Sequence, residues 1–213
     1  MRAIAVLFVL LLVGAGCGGD GDSETAGEIA CEEVEAPAAR EPETLEPPEG
    51  TLDPTRTWNL VFETSCGDFA VELDLTLAPE TSASLVGLAR DGFYDDTIFH
   101  RVVPDFVIQG GDPTQSGGGS AGYATLDAPP LSVRYTKGVV AMAKTELAPP
   151  GTAGSQFFVV TAEDAGLEPV YAVVGRVTDG LDVVERIGEL GDAETQRPTR
   201  TILVRGVTVD ESS

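Results

Sequence analysis

Short apolar runs, separated by glycine and proline, fill the chain from residue 57 onward and limit its fold more than any other feature. Between Phe69 and Leu75, apolar residues alternate with polar ones, which is the period-two pattern of a half-buried β-strand. A β-rich run from Trp58 to Thr64 comes shortly before it. The pattern predicts a mainly β domain. Further short apolar runs occupy residues 98–110, 139–143, 156–161, 171–177 and 200–209.

Two segments have helical patterns instead. Pro79 opens the first, which we expect to continue to about Arg90 and to stop at Gly92. The second has apolar residues at helical spacing from Leu181 to Leu190. Many short strands with only two helices predict a closed antiparallel barrel whose ends the helices cover.

The net charge and the small number of metal-binding side chains argue against several classes of function. The 213 residues include 35 Asp and Glu but only 13 Lys and Arg, which gives a formal net charge of -22. This balance argues against a nucleic-acid partner, because phosphate contacts need clustered Lys and Arg. It also argues against electrostatic docking on an anionic membrane surface. With one His and three Cys, the chain has too few ligands for a typical zinc site, and we expect no metal and no cofactor.

Residues 1–16 have the pattern of a signal peptide. Arg2 is followed by an apolar run of about a dozen residues and then by small residues. Cys17 comes directly after them and resembles the lipidated cysteine of bacterial lipoproteins, although Gly14 stands where Leu is usual. We therefore expect an exported protein, anchored to the cell membrane by a lipid on Cys17 and facing outside the cytoplasm. Plain secretion is the alternative.

Residues 17–56 have the composition of an acidic tether that precedes a folded domain at residues 57–211. Residues 18–56 hold 12 acidic and two basic side chains and several prolines. Such a segment has too little apolar surface to offset the entropy lost on ordering. Repulsion among its carboxylates should keep it extended.

Cys31 and Cys66 remain once Cys17 is set aside. An even pair of cysteines in an exported protein suggests a disulfide, with two free thiols as the alternative. The bridge would close a loop of about 36 residues and stabilise the fold by about 3–4 kcal/mol on the chain-entropy model. It would also hold part of the tether against the domain.

Two motifs combine polar groups with aromatic residues. Residues 99–112 read FHRVVPDFVIQGGD and residues 154–158 read GSQFF. If the first motif is extended before Gln109, then Val107 and Gln109 share a face, and a strand pairing would bring Arg101 beside them. An Arg and a Gln in an apolar wall are costly unless they are paired or used. The motifs predict a shallow apolar pocket with a fixed cation and amide donors, suited to a partly apolar ligand with a carbonyl group.

The two motifs, in this order, resemble those of the cyclophilin family of peptidyl-prolyl cis-trans isomerases. The resemblance covers nearly all of residues 57–209. It implies an eight-stranded antiparallel barrel capped by two helices, which agrees with the apolar runs. It also implies rotation about X–Pro peptide bonds, here in proline-containing segments of exported proteins, whose folding the enzyme would assist. We expect the protein to be a monomer.

The resemblance also implies roles for individual residues. Arg101 matches the catalytic arginine of the family, and Gln109 matches the polar floor of the proline pocket. The walls of that pocket match Phe106, Val107, Phe158 and Leu167. The other substrate-binding residues that the resemblance implies are Ala143, Lys144, Gln156 and Tyr171.

Alternatives remain open at this point. Arg101 would be a structural ion-pair residue if the motif served only the fold. The domain would be a cyclophilin-like peptide-binding or chaperone module if its pocket bound proline with little or no catalysis. The complete set of matched residues favours the enzyme.

Two other features have ordinary structural interpretations. We interpret His100, the only histidine, as a scaffold residue. We interpret the glycines at 117–119 as an ordinary loop, because they lack the lysine of a phosphate loop.

Overall fold

The computed structural model describes residues 31–213. The predictions of a signal peptide and of a lipidated Cys17 lie outside these residues. In the part described, no helix is both long enough and apolar enough to cross a membrane.

The prediction of a mainly β domain with two helices is confirmed. The elements are β1 Thr57–Thr64, β2 Gly67–Leu73, α1 Pro79–Arg90, β3 Thr97–Ile98, β4 Arg101–Val103, β5 Val107–Gly110, β6 Thr125–Leu126, β7 Val139–Met142, β8 Thr152–Ala153, β9 Phe157–Val160, β10 Val173–Asp179, α2 Leu181–Glu189 and β11 Leu203–Ser212.

Nine strands form one antiparallel sheet in the order β3-β11-β1-β2-β10-β7-β9-β5-β4, while β6 and β8 pair separately. Only Phe99 and His100 separate the edge strands β3 and β4 along the chain, so the sheet must curl rather than lie flat. No ladder joins these edges within residues 31–213. The sheet is therefore a curled half-barrel, and the expectation of a closed eight-stranded barrel is wrong. The ninth strand arises because residues 97–103, at and just before the start of the apolar run 98–110, are divided into two strands. The first, β3, pairs with β11, and the second, β4, pairs with β5.

The two helices follow the sequence closely. α1 has the predicted bounds, with Pro79 in its first turn and Arg90 in its last turn, where a cation is favoured by the helix dipole. α2 buries Val183, Val184 and Ile187, which repeat at helical spacing. α1 packs against β11, and α2 packs against β2, β4 and β5.

Strand β9 separates the main core from a second apolar cluster. In the main core, Phe62 and Phe69 oppose each other across β1 and β2 with ring centroids 4.7 Å apart, and Phe157 lies 5.1 Å from Phe62. The next residue, Phe158, belongs to the second cluster. Successive side chains of a strand point to opposite faces, so β9 contributes one phenylalanine to each cluster.

Residues 31–56, here called the N-terminal belt, contain no helix or strand but lie along the domain. A disulfide joins Cys31 to Cys66, as predicted. Leu45 and Leu52 are half-buried against the main core. For these residues the structure differs from the unordered tether that the composition predicts. The disulfide and backbone hydrogen bonds to the domain add to the ordering that the belt's small apolar surface provides.

Candidate active site

A cavity of about 310 Å³ lies beside strands β4, β5, β7 and β9. Its lining includes every catalytic and substrate-binding residue that the resemblance implies except Gln156, which lines an adjoining cavity of about 400 Å³. The two cavities share Gln109, Ala143 and Lys144, so they lie side by side, and together they are here called the groove. The lining of the first cavity consists of Arg101, Phe106, Val107, Gln109, Ala143, Lys144, Phe158, Leu167 and Tyr171.

Strand register explains why these distant residues meet. β4 pairs with β5 so that Arg101 lies opposite Gln109, and β5 pairs with β9 so that Gln109 lies opposite Phe158. Directly opposed residues of antiparallel strands project from the same face of the sheet. A cation, an amide and an aromatic ring therefore form one row across three neighbouring strands.

The Arg101 guanidinium is held from two sides. Its Nη1 donates to Oε1 of Gln109 at 3.3 Å, and its Nε donates to Oε1 of Gln196 at 2.9 Å. It also lies 5.9 Å from the ring centroid of Phe106. Within residues 31–213, Arg101 makes no ion pair and its Nη2 donates to no acceptor. The geometry thus disfavours a structural ion pair and leaves N–H donors for a ligand.

The environment of Arg101 changes its affinity for protons without removing its charge. Partial burial lowers the pKa of the Arg101 guanidinium below its ordinary value, and the nearby Tyr171 partly offsets this effect. An arginine remains cationic under such a shift because its ordinary pKa lies far above physiological pH. The half-buried cation therefore faces the groove with less water around it than a surface arginine has.

A chain of amides continues from Arg101 to the glycine loop. Gln109 Nε2 donates to Oε1 of Gln156 at 2.9 Å. Gln156 Nε2 in turn donates to the carbonyl oxygens of Gly117 at 3.0 Å and Gly119 at 2.8 Å. These contacts fix which way each amide points. The acceptor oxygen of Gln109 therefore faces Arg101.

The apolar walls are packed before any ligand enters. Val107 is 2% exposed and Phe158 is 5% exposed, and the Phe158 ring meets Tyr171 edge-on at 5.5 Å. The hydroxyl of the buried Tyr135 donates to the carbonyl oxygen of Tyr171 at 2.8 Å and accepts from its backbone N–H at 2.9 Å. These contacts hold the Tyr171 side of the groove in place. Side chains held in this way lose little further entropy when a ring binds between them.

Lys144 stands where the two cavities join. Its Nζ donates to the carbonyl oxygens of Thr145 and Ala148, at 3.2 Å and 3.0 Å, and lies 5.8 Å from the ring centroid of Tyr171. Among residues 31–213, none that lines either cavity is acidic. The groove is thus locally cationic in a strongly acidic chain.

Sequence reasoning missed several supports of the site. Gln196 lies in the loop after α2, with a positive φ of 56°, and nothing in its local sequence indicates contact with Arg101. The glycines at 117–119 form a loop as expected, but they also line the second cavity. Both ring nitrogens of His100 are buried without a partner in the described part of the chain, and burial lowers the pKa of this imidazole. Tyr135 carries no signal beyond being one aromatic residue in a loop.

Comparison with known proteins identifies the family. Residues 59–209 match the family model described as "Cyclophilin type peptidyl-prolyl cis-trans isomerase/CLD". The chain belongs to the cyclophilin family. It is therefore a peptidyl-prolyl cis-trans isomerase of the cyclophilin type.

Curated cyclophilins and solved structures agree with this assignment. Peptidyl-prolyl cis-trans isomerase-like 1 of Gibberella zeae is 39% identical over 160 residues, which cover 73% of this chain and 97% of that protein. Peptidyl-prolyl cis-trans isomerase CYP18-2 of Arabidopsis thaliana is 37% identical over 162 residues, covering 74% and 91% of the two chains. A cyclophilin type isomerase of Cryptosporidium parvum has a TM-score of 0.66 and 27% identity, covering 72% of this chain and 98% of that one.

A second crystal structure of the Cryptosporidium parvum isomerase was obtained in the presence of the dipeptide Ala-Pro, with a TM-score of 0.66 and 28% identity. It covers 71% of this chain and 98% of its own. These relatives are all eukaryotic. The comparisons therefore give no support to a bacterial lipoprotein form, which rests on residues 1–17 alone.

Proposed function

We propose that this cyclophilin is exported and lipid-anchored at Cys17, and that it isomerises X–Pro bonds in exported proteins and so assists their folding. The observation that carries the catalytic part is the position of Arg101, a half-buried cation with unused N–H donors beside an apolar cavity. Residues 1–17 and the Cys31–Cys66 disulfide support export, because disulfides persist in oxidising compartments. The proposed location is the outer side of the cell membrane, with the secreted form as the alternative.

Catalysis in this proposal needs no acid–base pair. Rotation about an X–Pro bond must cross about 18–20 kcal/mol, because the twisted state loses amide resonance. A protein accelerates the rotation when it binds the twisted state more tightly than either planar isomer. Arg101 holds the substrate carbonyl and donates toward the proline nitrogen, whose lone pair becomes available as resonance is lost. This interaction is strongest in the twisted state, and partial exclusion of water strengthens it further.

The apolar walls hold the proline ring while the preceding carbonyl turns. Phe106, Val107, Phe158 and Leu167 line the cavity beside Arg101. Their burial in aromatic and aliphatic contacts suits a pyrrolidine ring, which has no polar group to satisfy. A crystal structure of the related Cryptosporidium parvum isomerase was obtained in the presence of the dipeptide Ala-Pro, which supports a proline-containing ligand for this groove.

The second cavity receives the chain next to the proline. Ala143 and Lys144 lie at the end of strand β7 and line both cavities, and Gln156 lines the second. Backbone and amide groups at this junction can bind an extended peptide without reading its side chains. Such binding suits an enzyme that acts on many unfolded clients.

Magnetisation exchange in a short X–Pro peptide separates the enzyme from the peptide-binding alternative. With catalytic amounts of the full protein, we expect the NMR signals of the cis and trans peptide to exchange within seconds. A secreted protein with a slow proline-limited refolding phase should also refold faster. Binding that shifts the peptide signals without exchange would identify a binding or chaperone module instead.

The anchor needs its own experiment. In a bacterial host grown with an alkyne-labelled fatty acid, we expect the wild type to be labelled and the Cys17→Ala variant to lose the label. Cys31→Ala is the matched control, because it removes a different cysteine outside the domain and should keep the label. Equal labelling of wild type and Cys17→Ala, or no label in the wild type, would contradict the lipid anchor.

A further inference from the structure

The N-terminal belt contacts the loop that forms one wall of the groove. Gln115 Nε2 donates to the carbonyl oxygen of Pro37 at 2.9 Å, and the backbone N–H of Arg40 donates to the carbonyl oxygen of Pro113 at 2.9 Å. The backbone N–H of Leu45 donates to the carbonyl oxygen of Ala121 at 2.8 Å. Belt residues 37–45 thus hold loop 113–121 at two points near its start and at one point at its end. The belt lies outside the residues that match the family model.

The contact between belt and loop is close and anchored. The Arg40 guanidinium donates to the carbonyl oxygen of Phe93 and lies 5.4 Å from the centroid of that ring, just beyond the end of α1. Gly122 has a φ of +86°, and a Cβ built on it would lie 2.6 Å from the Cα of Thr44. Only glycine permits both this backbone conformation and this approach. The belt is therefore docked against the loop.

Hydrogen bonds connect the docked loop to the residues of the catalytic groove. The Asp112 carboxylate accepts from the backbone N–H groups of Thr114 at 2.8 Å, Gly117 at 2.7 Å and Gly119 at 3.1 Å, so one side chain links the start of the loop to its glycines. The carbonyl oxygens of the same two glycines hold Gln156. From Gln156, the hydrogen bonds already described continue through Gln109 to Arg101.

We propose that the N-terminal belt is a positioning element for catalysis, which keeps the glycine loop in the one arrangement that orients Gln156, Gln109 and Arg101. This inference rests on the proposed function of the groove. Glycines 117–119 have more backbone freedom than other residues, and lateral contacts are needed to restrict them. The belt holds the loop on both sides of these glycines, at residues 113, 115 and 121, and the Cys31–Cys66 bridge keeps the belt close to the domain.

Variants on both sides of the contact test the proposal in the full-length, disulfide-bonded protein. Arg40→Ala removes the anchor in the belt, and Gln115→Ala removes the donor in the loop. We expect each to lower kcat/KM on a short X–Pro peptide by about threefold to tenfold, because Arg101 is then less well oriented; this corresponds to about 0.7–1.4 kcal/mol of transition-state stabilisation. Arg40→Lys keeps a cation over Phe93 and should recover most of the loss.

Arg205→Ala is the control for a merely structural effect. It removes the 2.6 Å ion pair with Glu32, which also joins the belt to the domain but close to the disulfide. We expect this variant to keep the wild-type kcat/KM. Unchanged kcat/KM in both Arg40→Ala and Gln115→Ala, or an equal loss in Arg205→Ala, would overturn the proposal.

A substrate-free measurement separates this inference from the proposed function. The ¹H–¹⁵N signals of the Arg101 Nε–H and of the Gln156 side-chain amide report their hydrogen bonds directly. We expect both signals to shift in Arg40→Ala and Gln115→Ala but not in Arg205→Ala. Signals that stay in place would overturn the positioning role, whereas an inactive wild type whose signals respond as expected would contradict only the isomerase function.

Discussion

The position of Arg101, more than its residue type, distinguishes it from the other twelve cations of the chain. The FHRVVPDFVIQGGD motif made this residue predictable, because an alternating strand places Val107 and Gln109 on one face. The contact with Gln196 was not predictable. That residue lies 95 positions away, in a loop whose left-handed backbone conformation no local pattern indicates.

Replacing Gln196 tests whether the guanidinium must be held from both sides. Gln196→Ala removes the acceptor of the 2.9 Å hydrogen bond from Arg101 Nε. We expect kcat/KM to fall about fivefold, because the bond contributes about 1 kcal/mol at this exposed position. Steady-state assays on an X–Pro peptide measure the change. Gln196→Glu keeps an acceptor and should retain activity, so an equal loss in both variants would contradict the role of this contact.

At the scale of elements, the individual strands and helices were easier to predict than two larger features: whether the sheet closes into a barrel, and how the N-terminal belt is held against the domain. α1 and α2 follow directly from proline position and helical spacing. The break of the 97–103 run into β3 and β4 was not visible, because it depends on which strands lie on either side of it. The belt was misjudged because its own composition is that of a disordered segment, and its order comes from partners distant in sequence.

Removing the disulfide tests how the belt is stabilised. The bridge joins cysteines 35 positions apart, and its chain-entropy contribution is about 3–4 kcal/mol. We expect the Cys31→Ser, Cys66→Ser double variant to lose about this much free energy of unfolding in urea denaturation. Reduced wild type is the control and should match the double variant. A wild type whose stability does not depend on reducing agent would contradict a stabilising bridge.

At the scale of the whole molecule, net charge and local charge point to different substrates. The chain carries a formal charge of -22, which would favour basic clients. In the described part of the chain, however, the groove is lined by Arg101 and Lys144 and by no acidic residue. At physiological ionic strength the screening length is about 8 Å, so distant carboxylates count for less than a cation in the groove.

Peptides that differ only in charge next to the proline test which effect dominates. We expect a Glu-containing peptide to have about twofold to threefold higher kcat/KM than a Lys-containing one, because charges about 4 Å apart in water interact by about 1 kcal/mol before screening. The preference should disappear in Lys144→Gln and persist in Lys137→Gln, a lysine outside the groove that pairs with Glu163 and Glu185. Faster turnover of the Lys-containing peptide would show that the net charge dominates.

The catalytic role of Arg101 is tested most directly by kcat/KM for cis–trans isomerisation of an X–Pro peptide in Arg101→Ala. We expect a loss of about 100-fold or more, the usual effect of removing a preorganised donor, with unchanged circular dichroism. Arg197→Ala, which removes an exposed neighbouring cation that does not line the groove, should keep full activity. Wild-type activity in Arg101→Ala would contradict the account.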